Sequence, residues 1–180
     1  MIVASWNINS VRLRLPLLLD YLKDKAPDVL CLQELKCTDD QFPRAEIEDA
    51  GYNALVHGQK SWNGVAILSR RPLEETQRGL PGAEDEQSRY LEAVTQDASG
   101  ALMRVASIYL PNGNPPGTEK TAYKYAWMDR LRAHALDLLK LEEPLTLAGD
   151  YNVIPAAEDC RDPAAWAGDA LFLPETRQKF

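Results

Sequence analysis

Histidine and cysteine are scarce in this chain of 180 residues, two and three respectively, and each scarcity removes some chemistry. Cys31, Cys37 and Cys160 are odd in number and show no CxxC spacing, so neither a disulfide framework nor a zinc site is indicated, and Cys31 reads as a small hydrophobe. No run of about 20 apolar residues is present to cross a bilayer. The stretch Met1-Ile2-Val3-Ala4-Ser5-Trp6-Asn7 has no basic segment ahead of a signal-type apolar core, so the expected location is the cytoplasm, away from membranes. Basic excess is missing too. With 27 acids against 20 bases and a net charge of -7, broad electrostatic attachment to nucleic acid is excluded, and any polyanionic partner needs a local basic patch. Repeats and low-complexity tracts are absent. What is there is a 45% hydrophobic chain, long enough for one sizeable core.

Short apolar runs rich in β-branched residues fall at Ile2 to Trp6, Val29 to Leu32, Tyr52 to His57, Val65 to Ser69, Tyr90 to Thr95, Leu102 to Tyr109 and Leu145 to Ala148, and all seven read as strands. Between the first two, Leu15, Leu18, Leu19 and Leu22 are spaced for a helix, with Pro16 tolerable in its first turn and Pro27 beyond its end. Met128, Leu131, Ala135 and Leu138 mark a longer helix from about Thr118 to Glu142, closed by Pro144. The middle strands follow one another through short connections, which favours antiparallel pairing. The expected class is therefore α/β (α+β), a mixed sheet flanked by helices. Pro111 to Gly117 is a loop, and Leu173 to Phe180 begins like a helix that stops after two turns, which suggests a truncated protein.

Two of the apolar runs end in a carboxylate. Val29-Leu30-Cys31-Leu32 leads into Gln33-Glu34, and Leu145-Thr146-Leu147-Ala148 into Gly149-Asp150-Tyr151-Asn152. An acid at the mouth of a buried strand is costly to desolvate unless a cation or hydrogen-bond donors offset it, so these ends suggest a hard-metal site. Strand ends gather on one edge of an α/β sheet, and Asn7 and Tyr109 end two further runs. Oxygen ligands fit Mg²⁺, with Mn²⁺ as a substitute. Glu34 is the first expected ligand, Asn7 offers a carbonyl oxygen to the ion or its water, and Asn152 orients the phosphate or that water. Asp150 holds a nucleophilic water, touches the metal through water, or protonates the departing oxygen. Tyr109 is suited to donate to a phosphoryl oxygen. Singly, an Asn or Asp at a strand end is more often a turn former; the joint occurrence is what points to a site.

The segments WNINSVR (Trp6 to Arg12), PDVLCLQELK (Pro27 to Lys36), YNALVHGQKSWNGVAILSR (Tyr52 to Arg70), RYLEA (Arg89 to Ala93), SIYLPNGNP (Ser107 to Pro115) and LAGDYNVIP (Leu147 to Pro155) closely resemble the exodeoxyribonuclease III family, bacterial abasic-site endonucleases of the endonuclease/exonuclease/phosphatase superfamily. The LQE and GDxN elements recur across that superfamily, whereas HGQKxxxGVAIL and YLPNG narrow the resemblance to its DNA-repair branch. The resemblance implies one domain over residues 1–180, part of a four-layer two-sheet sandwich lacking its C-terminal part. It implies Glu34 as the Mg²⁺ ligand with Asn7 beside it, Asp150 and Asn152 as the acid/base and phosphate-orienting pair at the metal site, and Tyr109 as a catalytic tyrosine. Arg89 and Asn112 resemble DNA-contacting positions, and Lys36, Lys60, Lys120 and Lys124, with Arg70 and Arg71, lie in or beside site-forming segments where they could neutralise phosphates.

The implied activity is Mg²⁺-dependent hydrolysis of DNA phosphodiesters, 5′ of abasic sites and from 3′ ends of duplex DNA. The family's closing Ser-Asp-His motif is absent here, and His57 and His134 are poor substitutes for its histidine. The chain is therefore expected to be weak or inactive, to lack a second-sheet contribution, and to leave apolar side chains open to water or to a second chain. The alternatives are a non-catalytic DNA-binding module on the same fold, and a phosphoesterase acting on lipid or inositol phosphates.

Overall fold

A computed structural model describes residues 1–82 and 84–180. It divides into two compact units, residues 1–109 with 138–150, and residues 110–137 with 151–180. No helix among the described residues is long and apolar enough to cross a membrane.

The first unit holds eight strands in two four-stranded mixed sheets. The order in the first sheet is β1 (Val3–Asn7), β2 (Val29–Gln33), β4 (Val65–Ser69), β3 (Asn53–His57), and in the second β5 (Glu74–Arg78), β6 (Tyr90–Gln96), β7 (Leu102–Tyr109), β8 (Leu145–Asp150). Each sheet has one parallel pair, β1 with β2 and β7 with β8, and the remaining pairs are antiparallel. Helix α1 (Leu15–Lys25) joins β1 to β2, as its leucine spacing predicts, and the short α2 (Arg44–Asp49) precedes β3.

Strand alternation sorts the side chains into two cores. Leu30, Leu32, Ala66 and Leu68 pack with Leu18 and Leu22 of α1 and Ile47 of α2. The alternate residues Val29, Cys31, Val65 and Ile67 meet Leu91, Ala93 and Val105 of the second sheet, all without exposed surface. Each fully buried Val, Ile or Leu of this kind contributes about 1.5–3 kcal/mol. Buried polar groups between the sheets are satisfied: Ser107 donates to the Leu32 carbonyl (3.0 Å), Gln33 Nε2 to Ser107 Oγ (3.2 Å), and Ser5 Oγ to Gln33 Oε1 (3.3 Å). Burial pushes the Cys31 thiol up to about 12, which makes it an inert packing group.

The expectation of a missing second sheet is corrected: strands β5 to β8 form it, and its central residues are buried against the first sheet. Strands β1 and β8, at the margins of the two sheets, keep their side chains only partly covered.

The second unit contains most of α3 (Glu119–Leu139) and the short α4 (Pro174–Lys179), which starts at the proline that the sequence marks. Thr176 Oγ1 donates to the Ala170 carbonyl (2.7 Å), Lys179 pairs with Asp129 (2.7 Å), and Asn114 Nδ2 reaches the Asp169 carboxylate (3.2 Å).

Candidate active site

In the first unit the two parallel pairs put four strand ends to use. Asn7 is the last residue of β1 and Glu34 follows the last residue of β2, while Tyr109 and Asp150 end β7 and β8 as register partners. These four side chains converge. Asn7 Nδ2 lies 2.8 Å from Glu34 Oε1 and 2.8 Å from Asp150 Oδ2, so one amide spans both carboxylates. Tyr109 donates its hydroxyl to Glu34 Oε1 at 3.0 Å, and Lys36 Nζ pairs with Glu34 Oε2 at 3.0 Å. The Arg89 guanidinium lies 4.7 Å from the centre of the Tyr109 ring and donates to the Tyr109 carbonyl at 3.2 Å.

Glu34 and Lys36 both adopt left-handed backbone (φ 57° and 54°), a conformation that costs non-glycine residues of order 1–3 kcal/mol. Neighbouring backbone holds the turn from both sides. Ser10 N–H donates to the Glu34 carbonyl (2.7 Å), and the Leu35 and Lys36 N–H groups donate to Gly64 (3.2 Å) and Asn63 (3.0 Å). The turn therefore aims Glu34 away from the end of its strand, toward Asn7 and Tyr109.

Burial pushes the Glu34 carboxyl up, but hydrogen bonds from Asn7, Lys36 and Tyr109, together with the Lys36 charge, outweigh it and leave the group below the ordinary glutamate range. Tyr109 is raised, first by burial and then by the Glu34 carboxylate, so its phenol stays protonated and able to donate at neutral pH. A depressed carboxyl contributes stability above its unfolded pKa, and that contribution fades as pH falls through the folded value. Glu34→Gln is thus expected to lower the melting temperature most near neutral pH, with the gap to the parent closing below the ordinary glutamate range. Melting curves from pH 7 to pH 3 measure it, and a gap that widens with acid would contradict the stated balance.

Asn7 Oδ1 accepts from the Asn9 N–H (3.2 Å), while its Nδ2 faces the two carboxylates. Asn112 and Asn152 lie in the second unit, where Asn152 is left-handed (φ 46°) and donates from Nδ2 to the Leu110 carbonyl (2.8 Å). Asn112, Lys60 and Lys120 are exposed. Lys124 is corrected: it is fully buried and its ammonium bonds to the Asn152 and Asn112 carbonyls, so it is no surface cation for a phosphate. His57 is half-buried beside Arg78, and its pKa is lowered by burial and then by the Arg78 charge. Among the described residues no group of three or more His, Cys, Asp or Glu side chains gathers to hold a metal; the Glu34–Asp150 pair is what the fold offers.

Residues 4–178 match the endonuclease/exonuclease/phosphatase family. The chain is 33% identical to exodeoxyribonuclease III of Haemophilus influenzae over 96% of its own length and 67% of that protein. Among solved structures, the 3′ phosphatase NExo from Neisseria bound to a product DNA hairpin superposes with a TM-score of 0.91 at 35% identity, covering 100% of this chain and 68% of that one. An AP endonuclease from Archaeoglobus fulgidus gives 0.91 at 31% identity, covering 99% and 68%. The matched region and the fold agree, and the chain belongs to the endonuclease/exonuclease/phosphatase family of hydrolases, on its exodeoxyribonuclease III-like side.

Proposed function

We propose that this chain carries the acidic centre of a metal-dependent DNA-repair phosphodiesterase, one that cuts 5′ of abasic sites and trims 3′ ends of duplex DNA. The observation that carries the reading is the Asn7 amide bridging Glu34 and Asp150 at the ends of two parallel strand pairs, with the Tyr109 hydroxyl on the same carboxylate. Support comes also from the relatives, whose names include an exodeoxyribonuclease, an AP endonuclease and a 3′ phosphatase with a DNA hairpin.

The donor set fits Mg²⁺, or Mn²⁺ in its place, since two convergent carboxylates leave the remaining positions to water and phosphate oxygen. Glu34 and Asp150 are the residues that would hold such an ion, which would supply charge stabilisation for the phosphoryl oxygens. The chain's own groups do the rest. Asn7 fixes the spacing of the two acids. Tyr109, kept protonated, donates to a phosphoryl oxygen as negative charge builds there. Asp150 takes the proton of the attacking water or returns one to the departing oxygen, and Asn152 orients the phosphate. Lys36, Arg89 and Lys60, and Asn112 and Lys120 of the second unit, meet the backbone of the duplex.

Turnover is slow in this reading, because the chain has no Ser-Asp-His sequence and His57 is engaged with Arg78. Loss of a general acid/base group costs roughly 100- to 10,000-fold. The test is a duplex with one tetrahydrofuran abasic analogue, incubated with the purified chain and Mg²⁺. Slow incision 5′ of the analogue that is lost in Glu34→Ala and in chelator supports the reading. Fast turnover indifferent to Glu34, or preferential hydrolysis of an inositol polyphosphate, rejects it. Duplex binding without cleavage, unchanged in Glu34→Ala, would identify a non-catalytic DNA-binding module.

A further inference from the structure

Lys124 sits on α3 with no exposed surface, one of the largest fully buried side chains of the protein. Its ammonium donates to the Asn152 carbonyl at 2.6 Å and to the Asn112 carbonyl at 3.1 Å. Its stem is gripped as well. Gly113 follows Asn112 in left-handed backbone (φ 81°), and a Cβ at Gly113 would stand 2.7 Å from Lys124 Cδ, so this loop lies directly on the lysine chain. Asn152, itself left-handed, closes the arrangement by donating from Nδ2 to the Leu110 carbonyl at 2.8 Å.

The two carbonyls belong to Asn112, three residues after Tyr109, and Asn152, two residues after Asp150, on the segments YLPNG and GDYN. Burying an ammonium carries a large desolvation cost, and a methionine would fill the same stem without it. Charge-assisted bonds to carbonyls are roughly twice as strong as neutral ones and directional, so what the ammonium adds over methionine is a fixed position for two backbone oxygens. Fixing an asparagine carbonyl in a left-handed turn fixes the direction in which its side chain leaves the backbone.

We infer that Lys124 is a positioning residue, which holds the Leu110–Gly113 loop and the Asn152 turn together so that Asn112 and Asn152 present their amides to a phosphodiester in a set orientation. The inference rests on the proposed phosphodiesterase reading, which assigns those amides to substrate.

The test uses the full chain in four versions: parent, Lys124→Met, Asn152→Ala and Asn112→Ala. The Asn152 side-chain amide is identified in ¹H–¹⁵N spectra by its loss in Asn152→Ala, and incision of the abasic-analogue duplex is followed at saturating and limiting substrate. Lys124→Met is expected to keep the dispersed spectrum of the parent, to move the Asn152 amide signal and hasten its exchange with water. It should also lower kcat by roughly 10- to 100-fold, the size of effect that ångström-scale misplacement produces. A folded Lys124→Met chain with an unmoved Asn152 signal, or with a moved signal and an unchanged rate, overturns the inference. If Asn152→Ala and Asn112→Ala themselves leave incision unchanged, the underlying functional reading fails instead. Should Lys124→Met not fold, Lys124→Ala titrated with propylammonium decides. Recovery of the Asn152 signal together with the rate supports positioning, and recovery of the fold without the rate overturns it.

Discussion

Gly149→Ala is expected to cost about 4 kcal/mol or more, a range reached only through a specific structural fault. For a chain of this size that corresponds to a fall in melting temperature of roughly 10 °C. Gly149 has no left-handed backbone to maintain; its requirement is space. It pairs with Ile108 across the parallel β7–β8 ladder, and a Cβ at Gly149 would run into the Ile108 carbonyl oxygen and lie 2.7 Å from its carbonyl carbon. The obstructing atoms are backbone in a buried strand, so no side-chain rotation relieves the clash and the ladder itself must part. Tyr109 and Asp150 are the next register pair, which places the damage directly under the acidic cluster. Thermal melting and amide exchange of β7 and β8 measure the effect. A Gly149→Ala chain within about 1 °C of the parent would mean that the two strands have more freedom than their packing implies.

The same strand ends explain how much of the site the sequence discloses. Asn7, Glu34, Tyr109 and Asp150 are legible because each interrupts or ends an apolar run, and parallel pairing brings the ends of β1 with β2, and of β7 with β8, to the same edge. Strand β5 is not legible: its sequence EETQR has no apolar alternation, and it is held at the margin of the second sheet by pairing with β6. Missing that strand leaves the sequence reading one strand short in the second sheet, whose other three members it does find. Helix α2, RAEIED, offers a single apolar anchor, Ile47, too few for a periodic signal. Arg89 over Tyr109 has no sequence trace, since a stacked pair twenty residues apart leaves no spacing rule. Lys124 does leave one. Stepping four residues back from Met128 along the stripe of Met128, Leu131 and Leu138 lands on Lys124, and Thr121 continues the stripe. A lysine on the buried face of a helix is a group with carbonyls to satisfy, and its position on that face outweighs its charge as a guide to its partners.

Arg104→Met is the second substitution expected to act strongly, by about 3–5 kcal/mol, the range for removing one partner of a buried ion pair. Glu92, on β6, keeps only 2% of its side chain exposed, and Arg104 of the neighbouring β7 keeps 12%. Arg104 Nη1 reaches Glu92 Oε1 at 2.7 Å and Thr76 Oγ1 at 3.1 Å, while its Nε and Nη2 extend to Glu143 at 3.0 and 2.8 Å. The carboxylate also accepts from Thr76 (2.7 Å) and from the Tyr90 hydroxyl (2.6 Å). Removing the guanidinium leaves those neutral donors in place but strips a buried negative charge of the cation that lies against it. The link to Glu143 contributes little by comparison, because that carboxylate is substantially exposed. The decisive comparison is therefore the double variant. Glu92→Gln in the Arg104→Met background removes the stranded charge, its single amide oxygen still accepting from Thr76 while its amide nitrogen turns to donor toward the Tyr90 hydroxyl, so it should recover a large part of the loss, even though Glu92→Gln alone destabilises the parent. Urea unfolding of the parent, the two single variants and the double variant gives the coupling. Simple additivity of the two single losses would show that the cost of Arg104→Met lies in lost packing of its long stem and not in the charge left behind on β6.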